Sequence, residues 1–67
     1  MRLIDLFVIN GDWNDNTIFE IHDKPINDII QGKVLLKETW KNIPIDIKNT
    51  NVYFFNTVHK NRVWIEI

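Results

Sequence analysis

Arg62-Val63-Trp64-Ile65-Glu66-Ile67 alternates without a fault between an aliphatic face (Val63, Ile65, Ile67) and a second face carrying Arg62, Trp64 and Glu66. Successive side chains leave opposite faces of a sheet, so this alternation predicts a half-buried β-strand. The aliphatic set then points at a core, and Trp64 points away from it between two charges. Just upstream, Val52 to Val58 is rich in aromatic and β-branched residues and reads as a second strand. His59-Lys60-Asn61 joins the two as a hairpin loop whose last residue, Asn61, suits left-handed geometry. This register sets Thr57 against Val63, Phe55 against Ile65 and Tyr53 against Ile67 on one face, which is expected to be buried. On the other face it sets Phe54 opposite Glu66 and Asn56 opposite Trp64.

Towards the N-terminus, Ile45 and Ile47 alternate briefly before a turn at Asn49–Asn51. Val34, Leu35, Lys37, Glu38 and Trp40 predict a helix from Lys33 to about Asn42, limited at Ile43 because the residue before Pro44 disfavours helical geometry. Gly32 breaks whatever precedes it. Ile26 to Gln31 reads either as a hairpin continued through Asp23–Pro25 or as one helical turn opened by Pro25. Thr17 to His22 is a predicted strand bounded by Asn16 and by Asp23-Lys24-Pro25. Asn10 to Asn16 is a polar loop containing Trp13. In residues 2–9, Leu3, Leu6 and Phe7 lie at helical spacing while Val8 and Ile9 favour a strand. We read a short helix ended by Asn10-Gly11, a pair suited to left-handed backbone. The expected architecture is a single α+β domain over 1–67: a small antiparallel sheet of three to four strands, with one or two short helices packed on one face.

A domain of about 60 residues buries only roughly 60% of its unfolded surface, and such domains usually add a disulfide, a metal or a partner chain. Cysteine is absent, which removes disulfides and thiolate metal sites. A hydrophobic content of 45%, with three Trp, four Phe and one Tyr, is enough to attempt a core, and dimerisation is the expected supplement. No apolar run approaches the roughly 20 residues needed to cross a bilayer. Asp5 interrupts the apolar start, and no small-residue cleavage site follows it. A cytoplasmic protein without membrane contact is expected. The net charge of −1 argues against both a general phosphate-backbone binder and a polyanionic DNA mimic. Charge is nevertheless uneven: residues 1–23 hold one base against five acids, and residues 24–67 hold seven bases against four acids. Such asymmetry can steer a partner; the plainer reading is two solvated faces of one domain.

Asp12, Asn14 and Asn16 have the spacing of the first three ligands of an EF-hand loop, and Asp23 falls at its twelfth position. Thr17 stands where that loop needs Gly, and Asp23 where a bidentate Glu is usual, so turn-forming side chains explain the segment better than calcium. Glu20 and His22 share a strand face, but His59, the other histidine, has no spacing that ties it to them. No metal and no cofactor are expected. Serine and cysteine, the commonest nucleophiles, are both missing, and two glycines cannot build a phosphate loop. The chain therefore reads as non-enzymatic. Lys60 and Arg62 beside aromatics could stack on nucleic acid, but no basic run or recognition motif accompanies them, and nucleic acid is not an expected partner.

Surfaces remain. Trp and Arg dominate binding hot spots. Trp40 reads as core, and Trp13 as either core or contact. Trp64 is the foremost contact candidate, with Phe54, Arg62 and Glu66 beside it; the alternative is cover by the N-terminal helix or by Ile43 to Ile47. The protein-binding set is thus Phe54, Arg62, Trp64, Glu66 and Trp13. Met1-Arg2-Leu3-Ile4-Asp5-Leu6, Trp13-Asn14-Asp15-Asn16-Thr17, Phe19-Glu20-Ile21 and the closing Arg62–Ile67 strand, in an Asn-, Ile- and Lys-rich chain, resemble small accessory proteins of phages and mobile elements of low-GC Gram-positive bacteria. The resemblance implies stoichiometric binding of a host protein, such as a bacterial defence component in the manner of anti-CRISPR inhibitors. The rival reading is a homo-oligomeric structural or accessory protein, with a homodimer as its simplest form.

Overall fold

The computed structural model describes residues 1–59 and 61–67. The chain runs α1 (Leu3–Ile9), β1 (Ile18–His22), β2 (Val34–Thr39), a 3₁₀ turn (Trp40–Asn42), α2 (Ile45–Lys48), β3 (Phe54–His59) and β4 (Arg62–Glu66). As expected, this is an α+β domain: one four-stranded sheet with two short helices. Two antiparallel hairpins, β1–β2 and β3–β4, lie side by side in the order β2-β1-β4-β3. β1 and β4 pair in parallel, so the sheet is mixed rather than wholly antiparallel. The physical reason lies in the side chains. Phe19 faces Val63 and Ile21 faces Ile65 across the parallel seam, and all four are at most 1% exposed. Central placement joins the two most apolar stripes of the chain into one block.

The β3–β4 register is the one the alternation predicts: Phe54↔Glu66, Phe55↔Ile65, Asn56↔Trp64 and Thr57↔Val63. The expected buried face, however, ends at β4. Val63 and Ile65 are buried and Ile67 partly so, but Phe55 is 43% exposed and Tyr53 67%. β3 is an edge strand, with no second layer over its outer half. It also begins two residues later than read, because Val52 donates its N–H to the Met1 carbonyl (2.8 Å) and Asn51 bridges to Arg2. The hairpin loop includes Lys60 and so lies outside the described residues; beside it, His59 pairs with Arg62 past an irregularity at Val58.

Lys33 to Asn42 is not a helix. Val34–Thr39 is strand β2, paired with β1 through Ile18↔Thr39, Glu20↔Lys37 and Ile21↔Leu36, and only Trp40–Asn42 coils. Conversely, the brief alternation at Ile45–Ile47 is one turn of α-helix, closed by Lys48 N–H to the Pro44 carbonyl (3.1 Å). Ile26 to Gln31 is neither strand nor helix: Asn27 Oδ1 accepts the N–H groups of Ile29 (2.8 Å) and Ile30 (2.9 Å) and shapes an irregular loop.

Helix α1 forms as read but stops differently. Asn10 has φ −97°, and both its N–H (3.2 Å) and its Nδ2 (2.9 Å) donate to the Leu6 carbonyl. The side chain thus takes up the orphan carbonyl that a left-handed residue would otherwise serve. Leu3 and Leu6 descend onto the seam, with Trp13, Trp40 and Ile43 around them. Phe7 stacks on Trp40 at 4.0 Å, and Trp13 meets Phe19 edge-on at 5.3 Å. No helix among the described residues is long and apolar enough to cross a membrane.

Candidate functional site

Both helices and the apolar core occupy one side of the sheet, and the other side is built by alternate residues of every strand. Register places Phe54, Glu66, His22 and Val34 in one row across it, and Asn56, Trp64, Glu20 and Lys37 in the next. Arg62 and Ile18 begin a third. This face is therefore the polar half of the alternation in β1 and β4, with one tryptophan at its centre.

Trp64 is fixed there from two directions. Its Nε1 donates to Glu66 Oε2 at 2.8 Å, and its ring lies on His22 with centroids 3.8 Å apart and planes 15° from parallel. Neither α1 nor the Ile43–Ile47 segment covers it, since both pack on the core side. His22 is only 4% exposed, and both its ring nitrogens lack a hydrogen-bond partner. Nε2 stands 3.5 Å from Glu20 Oε2, at the outer limit of hydrogen-bond distance and without alignment.

Glu20 is the electrostatic hub. Arg62 donates to its carboxylate across the parallel seam, and Lys37 Nζ approaches to 3.6 Å from the other neighbouring strand. The acidic first third of the chain thus meets the basic remainder at this carboxylate. The hydrogen bond from Arg62 holds Glu20 below its ordinary value of 4.5, with the charges of Arg62 and Lys37 adding to it and partial burial opposing. A carboxylate lowered on folding contributes stability above its unfolded value and loses it as pH falls through the lowered one. Melting temperature should therefore drop more steeply below pH 4.5 for the wild type than for Glu20→Gln. Parallel acid limbs in thermal melts of the two proteins would show that the ion pairs contribute nothing.

Phe54, Asn56, Trp64, Glu66 and Gln31 line a groove of about 250 Å³. Gln31 is the groove's contact with the Pro25–Gln31 loop, and that loop shares a second hollow of about 400 Å³ with Tyr53 and Glu66. Of the residues singled out from sequence, Phe54, Trp64 and Glu66 meet in this groove, and Arg62 lies one row away on the same face. Trp13 does not join them: it is 7% exposed on the opposite side, between Phe19 and Phe55. That removes it from the contact set and resolves its reading as core. Glu20, His22 and Lys37 complete the face. The only sequence signal for them was that Glu20 and His22 share a strand side; their contact with Trp64 and Arg62 needed the parallel seam.

The Asp12–Asn16 loop is closed by its own side chains. Asn14 Oδ1 accepts the Asn16 N–H at 2.8 Å, and Thr17 Oγ1 accepts the Asn14 N–H at 3.0 Å. Among the described residues, no three His, Asp or Glu side chains gather as a metal would require. What the open face offers is a rigid indole with a polar surround, suited to non-covalent recognition. Compared with protein-family models, with curated proteins and with solved structures, the chain gives no match.

Proposed function

We propose that this chain acts by binding another protein and modulating it stoichiometrically, without catalysis, through the face formed by Phe54, Trp64, Glu66 and Arg62. One observation carries the proposal: Trp64 is locked by His22 and Glu66 on a sheet face that no helix covers, beside an open groove. An aromatic already held in place loses little side-chain freedom on binding, so more of its contact energy appears as affinity. The charged surround of Glu20, Arg62 and Lys37 suits the polar rim of an interface, where it supplies orientation more than strength. The resemblance of both chain ends to accessory proteins of phages and mobile elements supports a host protein as the target, met in the bacterial cytoplasm, and an anti-defence inhibitor in the manner of anti-CRISPR proteins is the form we favour.

Co-purification of the tagged chain from a low-GC Gram-positive host, with titration of the captured protein, tests this reading. Trp64→Ala should weaken the complex by about 2 kcal/mol, or roughly 30-fold in Kd. Far-UV circular dichroism of the variant should stay unchanged, because Trp64 lies outside the apolar core. A complex of undiminished affinity would remove Trp64 from the interface and the proposal with it.

A further inference from the structure

The two edges of the sheet are defended differently. Soluble proteins usually protect an exposed strand edge with charge, proline or irregularity, because its free N–H and C=O groups are a template for another strand. β2 carries Lys37 and Glu38, with Lys33 just before it. β3 carries no Asp, Glu, Lys or Arg, and neither does any residue from Asn49 to His59, the longest uncharged run in the chain. Every β3 residue is exposed, and Phe54 and Phe55 are 48% and 43% accessible on opposite sides of the strand. The one protective irregularity lies at its far end, at Val58.

We propose that β3 pairs antiparallel with β3 of a second copy, about a twofold axis at Asn56, so that two four-stranded sheets become one. A charged partner strand would find no counter-charge on this edge, whereas a second β3 brings an equally neutral one. The register is self-complementary. Asn56 faces the other copy's Asn56, where two carboxamides can exchange hydrogen bonds. Phe55 faces Thr57, an aromatic against a β-branched residue of the kind that stabilises cross-strand contacts, and regular pairing ends where Phe54 meets the irregularity at Val58. Because the paired positions sum to an even number, both Trp64 faces lie on the same side of the joined sheet. The inference does not depend on a host target, since it concerns the purified chain alone.

Size sets the strength. An aromatic side chain buries roughly 150–250 Å², so the half-exposed Phe54 and Phe55 with the more exposed Tyr53 offer on the order of 300 Å² per copy. A standard interface takes about 800 Å² per partner, so this dimer is weak and concentration-dependent.

Sedimentation equilibrium between about 1 μM and about 1 mM spans the affinities expected of so small an interface. The apparent mass of the wild type should climb from the 8.1 kDa of one chain towards twice that value. Asn56→Lys and Asn56→Glu should each stay monomeric, because like charges meet on the axis, and an equimolar mixture of the two should recover the dimer. Val34→Lys, on the β2 edge, should associate as the wild type does. In a half-labelled wild-type sample, filtered nuclear Overhauser contacts between the Asn56 protons of different copies read the same pairing without substitution. A wild type still monomeric at about 1 mM, an Asn56→Lys protein that dimerises, loss of association in Val34→Lys, or absent inter-copy contacts would each overturn the proposal; the first would leave β3 to a strand of another protein.

Discussion

Phe19→Ala should leave the isolated chain unfolded, or nearly so, at room temperature. Phe19 is wholly buried in the central strand β1, and three other rings surround it: Trp13 at 5.3 Å, Trp40 at 5.4 Å and Phe7 at 6.3 Å. Removing a buried phenylalanine side chain typically costs about 3–5 kcal/mol, part of it for the cavity left behind. A core of this size rarely supplies more than about 3–5 kcal/mol in total. The loss is therefore comparable to the whole stability, and the cavity cannot close easily, because Trp13 is held by a loop and Trp40 by its stack on Phe7. Urea denaturation followed by tryptophan fluorescence should show little or no native baseline. A cooperative transition within a few tenths of a molar of the wild-type midpoint would mean that the rings collapse into the space.

Gly32→Ala should also be strongly destabilising, although Gly32 lies in a loop. A Cβ built there would stand 1.8 Å from the Asp23 carbonyl oxygen and 2.8 Å from that of Lys24. Both are backbone atoms, and both are tethered: the Asp23 N–H donates to the Lys33 carbonyl (3.0 Å) and the Lys24 N–H to the Ile67 carbonyl (3.0 Å). The methyl group can enter only if the neck of the β1–β2 loop opens, at a cost of about 3 kcal/mol or more, the upper range for overpacking. Gly11→Ala is the matched control, since nothing lies within 4 Å of its added Cβ and its φ is not positive; it should be neutral or slightly stabilising. Thermal melts that rank the two alike would show that the neck is not a constraint.

The legible part of the fold is the part where one face is buried and the other is not. β1 and β4 alternate because the core lies on one side only, and the β3–β4 register followed from that alternation together with a short connection. β2 failed for the converse reason. As an edge strand it leaves Val34 and Leu35 both exposed, so no clean alternation is imposed on it. Its Leu, Lys and Glu are strong helix formers, and the ladder to β1 outweighs that preference. An eleven-residue connection from Asp23 to Lys33 also hides the hairpin from any turn signature. The short α2 looked like a strand because two isoleucines flank one aspartate, too few residues to distinguish the two periods.

The candidate site was half legible on the same grounds. That Trp64 leaves the aliphatic face, opposite Asn56 and two residues from Glu66, is a local consequence of alternation. That it lies on His22, with Arg62 reaching Glu20, depends on β1 and β4 being neighbours, and no local pattern specifies which strand sits beside which. Trp13 was ambiguous because a polar loop does not say whether its one aromatic turns inward.

The parallel seam has a kinetic consequence. Each hairpin can form from contacts close in sequence, but Ile18 meets Arg62, and Glu20 meets Trp64, only across more than forty intervening residues. Distant pairings are the slow part of folding, because the chain entropy lost in closing such a loop is spent before the contact rewards it. Docking of the two hairpins should therefore be the late event. The stack of Trp64 on His22 and the bond from Arg62 to Glu20 both span that line of docking. A molecule with both hairpins formed but undocked has native-like strands but lacks the assembled Trp64 face, so the surface proposed for binding is completed only with the final step of the fold.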